Sequence, residues 1–109
     1  VYKLVEILGN LVDNAKEALE VSEIDKVLYV SVIEANGEFE IIVRNKSKYI
    51  ELDEVDKFFK KGFSKKGGGR GLGLFNVKNI CNEYLLNIYC ENKNIDNENW
   101  FTFVINNKR

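Results

Sequence analysis

Apolar residues recur along the first twenty positions at three- and four-residue intervals. Leu4, Ile7, Leu8, Leu11, Val12, Ala15, Ala18 and Leu19 follow the period of one buried helical face. Glu6, Asn10, Asp13, Asn14 and Glu17 share that spacing and form a separate polar stripe. Residues 1–20 are therefore expected to form an amphipathic helix, which Ser22-Glu23-Ile24-Asp25 ends. Residues 27–35 and 38–43 are rich in β-branched and aromatic side chains, and Asn36-Gly37 between them suits a tight hairpin turn.

After Asn45 the periodicity dissolves into a long connection reaching about Gly71, with a short helical piece expected around 53–60. Connections this long inside one domain are usually functional lids or disordered segments. A second helix fits residues 72–82, with Leu74, Val77, Ile80 and Cys81 inward. Residues 84–90 and 100–105 read as another antiparallel pair, joined by a polar loop over 91–99. The order predicts an α+β fold: a two-layer α/β sandwich with helices on one face of a mixed, mostly antiparallel sheet.

Composition narrows the class without naming a function. The chain has 109 residues, 45% hydrophobic and 30% charged, enough for one domain with its own core. Its net charge of -1 supplies no global attraction to nucleic acid or anionic lipid. No apolar run approaches the roughly 18 residues of a membrane span. Cys81 and Cys90 are too few for a disulfide scaffold and are expected to act as small buried hydrophobes. Histidine is absent, which removes histidine ligands, bases and phosphoacceptors from this chain. Methionine is absent too, even at position 1, so the chain is expected to be a fragment of a longer protein.

Three stretches could carry chemistry. Gly67-Gly68-Gly69-Arg70-Gly71-Leu72-Gly73-Leu74 precedes a helix, whose free N–H groups and dipole favour an anion. Lys57, Lys60, Lys61, Lys65, Lys66 and Arg70 reach this stretch with no acid among them. It has no Gly-Lys-Ser/Thr and follows no strand, so it is neither a Walker A loop nor a dinucleotide fingerprint. A flexible loop would share its composition. Asn10 and Asn14 lie one helical turn apart, and a carboxamide oxygen is a neutral hard donor suited to Mg²⁺. A solvated polar face in an asparagine-rich chain would look the same. Val43-Arg44-Asn45-Lys46-Ser47 places polar side chains at a strand end, where they could read a ligand's edge or simply end the strand.

Together and in this order, these pieces resemble the Bergerat-type ATP-binding fold shared by DNA gyrase, the heat-shock chaperone ATPases, MutL and the sensor histidine kinases. Ile7-Leu8-Gly9-Asn10-Leu11-Val12-Asp13-Asn14-Ala15 is similar to the family's N box. Lys61-Gly62-Phe63-Ser64-Lys65-Lys66, behind Phe58 and Phe59, is similar to the F box and the start of an ATP lid spanning about 46–70. Gly69-Arg70-Gly71-Leu72-Gly73-Leu74 is similar to the G2 box. The resemblance implies that Asn14 holds Mg²⁺ and, through it, ATP, with Asn10 beside the phosphates. It implies that Lys65 or Lys66 reaches the terminal phosphates, that Gly69, Gly71 and Gly73 wrap them, and that Leu72 and Leu74 pack. Arg70 falls within the same binding stretch.

Two positions refine it. The gyrase and MutL branches carry a water-polarising glutamate where this chain has Asn10; asparagine has no basic carboxylate, which favours phosphotransfer over hydrolysis. The usual G1 box is an Asp followed two residues later by Gly, and here Asn45 and Ser47 stand in those places. Asn45 can accept the adenine amino hydrogen bond but can also donate, so weaker base selectivity is expected. With Glu17 after Asn14, and Arg-Gly-Leu-Gly-Leu at 70–74, the chain most resembles AgrC-type peptide-pheromone sensor kinases. The resemblance then implies a histidine-bearing dimerisation domain in the same protein and a response regulator as partners. It also implies a homodimeric, membrane-bound parent with this domain in the cytoplasm, and a monomeric isolated domain. A free-standing serine kinase or ATPase of the same fold, or a nucleotide-free interaction module, are the competing readings.

Overall fold

The structure is a computed structural model that describes residues 2–20, 27–59 and 73–108. Helix α1 spans Tyr2–Glu20. Its apolar stripe is spent in one place, because Ile7, Leu11 and Ala15 are buried at i, i+4 and i+8. Strands β1 (Leu28–Ala35) and β2 (Glu38–Lys46) form the expected hairpin. Asn36 and Gly37 both take positive φ, 55° and 80°, as a two-residue turn of this hand requires. A single turn of helix, α2 (Leu52–Val55), follows. Helix α3 (Gly73–Glu83) buries Val77, Ile80 and Cys81. Strands β3 (Asn87–Ile95) and β4 (Glu98–Asn106) close the fold.

The sheet order is β1-β2-β4-β3, and every described pairing is antiparallel, so the expected parallel component of the sheet is absent among the described residues. Each hairpin folds locally, and the two join along β2 and β4, the central strands. Register then decides which side chains meet the helices. Ile41, Val43 and Asn45 of β2 lie opposite Ile105, Phe103 and Phe101 of β4, and all six are buried. Phe101 and Phe103 meet edge to face at 5.4 Å, and Phe58 adds its edge to Phe101 at 5.2 Å. Phe59 meets Phe103 at 6.2 Å. The chain after α2 is thus fastened to the core by two aromatic rings.

Several boundaries differ from the sequence pattern. Residues 91–99, expected as a polar loop, are mostly strand, with only Asp96 and Asn97 in the turn at φ 53° and 66°. An edge strand needs no apolar run on its outer side, so Glu91, Lys93 and Asn94 conceal it. The third strand starts at Asn87 and not at 84, because Leu85 takes φ 59° and ends α3. The Leu86 N–H returns to the Cys81 carbonyl at 2.8 Å, the six-to-one bond of a Schellman end. β2 runs three residues past Val43, and the helical piece near 53–60 is the shorter α2 followed by turns.

Candidate functional site

α1 and α3 pack over the same sheet face, and this brings the two helical motifs together. Burial of Ile7, Leu11 and Ala15 fixes the rotation of α1, leaving Asn10 and Asn14 half-buried on its flank. No hydrogen bond engages either carboxamide among the described residues. Half-buried amides usually find partners, so two without one on a single flank are available to a ligand. The first residue of α3 lies against Asn10: a Cβ on Gly73 would stand 3.4 Å from the Asn10 Oδ1. Residues 63 positions apart in the chain therefore share one surface, where the start of α3 meets an amide oxygen.

Leu74 packs against the core, as expected of it. Lys65, Lys66, Gly69, Arg70, Gly71 and Leu72 lie outside the described residues, as does the expected lid from residue 60 onward. Asn45 is 4% exposed and sits near the end of β2, on the helix-facing side of the sheet. Its Nδ2 donates to the Lys46 carbonyl at 3.2 Å. This is the position from which the chain leaves the sheet. Ile50 is half-buried against the core, whereas Tyr49 is exposed.

The thiols take no part in this arrangement. Cys81 is fully buried, and desolvation pushes its pKa up. The half-buried Cys90 is pushed up to about 12, by burial first and then by the negative charges of Asp56 and Glu91. Both therefore stay protonated and unreactive at neutral pH.

The sequence pattern missed Asn92 and Asn99, which the supposed loop contained. Both amides hold the segment that follows β2. Asn92 bonds the backbone of Ile50 twice, and Asn99 reaches Ser47 and Lys48. No local signal marks them, because their partners lie more than forty residues away.

Residues 1–106 match the family model of the GHKL domain. Sensor protein CitS of Bacillus subtilis is 34% identical over 80 residues, 73% of this chain and 15% of that protein. A probable C4-dicarboxylate sensor kinase of Halalkalibacterium halodurans is 37% identical over 81 residues, 72% of this chain and 15% of that protein. The chain thus spans about 15% of the length of the curated relatives it matches. Among solved structures, a mycobacterial sensor histidine kinase, MprB, superposes with a TM-score of 0.72 at 19% identity, over 96% of this chain and 70% of that one. Full-length ShkA in complex with AMPPNP gives a TM-score of 0.68 at 18% identity, over 94% of this chain and 21% of that one. These two likenesses show the fold. With its helices on one face of a four-stranded antiparallel sheet and residues 1–106 matching the family model, the chain belongs to the GHKL domain family.

Proposed function

We propose that this chain is the catalytic and ATP-binding domain of a sensor histidine kinase, which binds Mg-ATP and donates the γ-phosphate to a histidine on a separate dimerisation domain. The observation that carries this reading is the meeting of Asn10 with Gly73, which joins the N-box helix to the G2-box helix. The sensor kinases among its relatives, and the nucleotide analogue bound by ShkA, support it.

The chain's own residues suit phosphoryl transfer. Positioning and charge neutralisation dominate that chemistry. The N–H groups at the start of α3, with Gly69, Gly71 and Gly73, would take the phosphates, and Lys65 or Lys66 would reach the terminal one from the lid. Arg70 would lie among them. Mg²⁺, when bound, supplies neutralisation of the phosphate oxygens; the free, half-buried amide oxygen of Asn14 is the hard neutral donor that would hold it. Asn10 carries no carboxylate to take a proton from water, so this position supplies no base for hydrolysis. A neutral imidazole needs none: its ring nitrogen bonds the γ-phosphorus as the bond to the β–γ bridging oxygen breaks and ADP leaves. With no histidine in this chain, the acceptor belongs to another segment.

The parent would be a membrane-bound homodimer in two-component signalling, with this domain in the cytoplasm and a response regulator receiving the phosphate. No described helix is long and apolar enough to cross a membrane. A role in quorum sensing rests on the AgrC-like pattern of Asn14, Glu17, Asn45 and residues 70–74 alone. The altered G1 segment, Asn45 and Ser47, favours the competing reading of a nucleotide-free docking module.

Calorimetric titration of ATP with and without Mg²⁺ separates the two. Binding that Mg²⁺ strengthens and Asn14→Ala abolishes is the expected result. Absence of binding at millimolar ATP, or an unaffected Asn14→Ala, refutes the nucleotide site as drawn.

A further inference from the structure

Ser47, Lys48, Tyr49 and Ile50 cross from β2 to α2 outside any strand or helix, so their backbone groups need partners from elsewhere. The β3–β4 hairpin supplies them. The Asn92 Oδ1 accepts from the Ile50 N–H at 2.9 Å, and the Asn92 Nδ2 donates to the Ile50 carbonyl at 2.8 Å. One amide thereby makes the pair of bonds that a neighbouring strand residue would make. The Ser47 N–H donates to the Asn99 carbonyl at 3.0 Å. The Asn99 Nδ2 shares its hydrogens among Ser47 Oγ at 3.2 Å, the Lys48 carbonyl at 3.3 Å and Asn92 Oδ1 at 3.1 Å.

This network fixes which way Asn92 points. Its oxygen faces two donors, the Ile50 N–H and the Asn99 amide, while its nitrogen faces a carbonyl. A flip would set donor against donor twice and acceptor against acceptor once. The carboxamide is therefore matched atom by atom to the strap that leaves the sheet just after Asn45. Asn92 makes no hydrogen bond to Asn10, Asn14 or α3, so its influence is confined to the base end of the site.

We infer that Asn92 is a positioning residue that holds the adenine end of the nucleotide pocket in register, acting through both backbone groups of Ile50. The inference rests on the Mg-ATP reading above. It separates base from phosphates: Asn92 sets how well the base fits, and the helical end binds phosphate without it. Asn92→Asp keeps the size and the acceptor but turns a second oxygen toward the Ile50 carbonyl.

The test is calorimetric titration of Mg-ATP and of inorganic Mg-tripolyphosphate into the wild-type chain, Asn92→Asp and Asn94→Asp. Asn94 lies on the same strand and only accepts, from the Asn97 N–H at 3.2 Å, so its aspartate variant is a matched control. The expected result is an approximately tenfold weaker Kd for ATP in Asn92→Asp alone, with tripolyphosphate binding unchanged. Equal ATP binding by wild type and Asn92→Asp overturns the inference, as does an equal loss for both ligands, the mark of a merely structural residue. A wild-type chain that binds neither ligand refutes the Mg-ATP reading instead. If Asn92→Asp does not fold by circular dichroism, Asn92→Ala, which removes both bonds without adding charge, decides the matter by the same split.

Discussion

Restoring the family's aspartate at position 45 should make the apo chain less stable and more selective at once. Asn45 is 4% exposed, among Leu28 and Phe101 as cross-strand neighbours, and among the described residues its side chain makes one hydrogen bond, the 3.2 Å donation to the Lys46 carbonyl. Asn45→Asp replaces that donor by a charged oxygen facing the same carbonyl. Losing the bond and desolvating the new acceptor costs about 1–3 kcal/mol at neutral pH. Burial also raises the carboxyl pKa in the folded chain above its unfolded value of about 3.9. Between those two pKa values the folded state binds the extra proton, so stability falls relative to wild type as pH rises. The deficit is thus small in acid, grows through the folded pKa and levels off above it.

Urea melts of both proteins at about pH 4.5 and pH 8 would read this directly. Saturating Mg-ATP should then narrow the deficit at pH 8, because a carboxylate accepts the adenine amino hydrogen bond without the choice of donor or acceptor open to asparagine. GTP should leave it in place. A deficit equal at the two pH values would refute the buried position assigned to this side chain. Equal narrowing by ATP and GTP would refute its role in reading the base.

Gly73→Ala should separate stability from binding: its Cβ meets Asn10 Oδ1 at 3.4 Å, an ordinary contact, and at the first residue of α3 the interior helix gain of about 0.5–1 kcal/mol is not realised. A nearly unchanged Tm with weaker ATP binding is expected, and an unchanged Tm with unchanged binding would show that phosphate does not approach this point. Leu85→Gly should stabilise the chain by about 1 kcal/mol, since Leu85 is 82% exposed and pays for φ 59° without burying its side chain. A lower urea midpoint for this variant would show that the α3 terminus is not left-handed there.

The sequence pattern was legible wherever neighbours in the chain determine the outcome. The i, i+4 recurrence of Ile7, Leu11 and Ala15 located the buried face of α1, and Asn36-Gly37 located the first turn with its hand. The second turn, Asp96-Asn97, has the same backbone, but Asn can enter positive φ without announcing it as Gly does. Surrounded by Glu91, Lys93, Asn94 and Glu98, it merged into an apparent loop. Edge position explains the concealment: among the described residues β3 pairs only with β4, so little in its sequence has to be apolar.

The asparagines show the same limit in chemical form. On α1 they are legible as a stripe, because helical spacing alone puts Asn10 and Asn14 on one flank. On the strands an amide's work depends on which backbone it meets. Asn107 accepts from the Phe39 N–H at 2.8 Å and donates to the Gly37 carbonyl at 3.0 Å, at the far end of β2 from Asn45. Asn92 does the equivalent for Ile50. In both cases one carboxamide stands in for a missing strand residue, across 68 to 70 and 42 positions of chain respectively. Carboxamides have the geometry of a peptide group, one donor side and one acceptor side, which aspartate and serine lack. A composition rich in asparagine is therefore not only a solvated surface: at the two ends of β2 it supplies the backbone partners that the sheet does not, and at one of those ends it holds the strap of residues 47–50 that follows the strand.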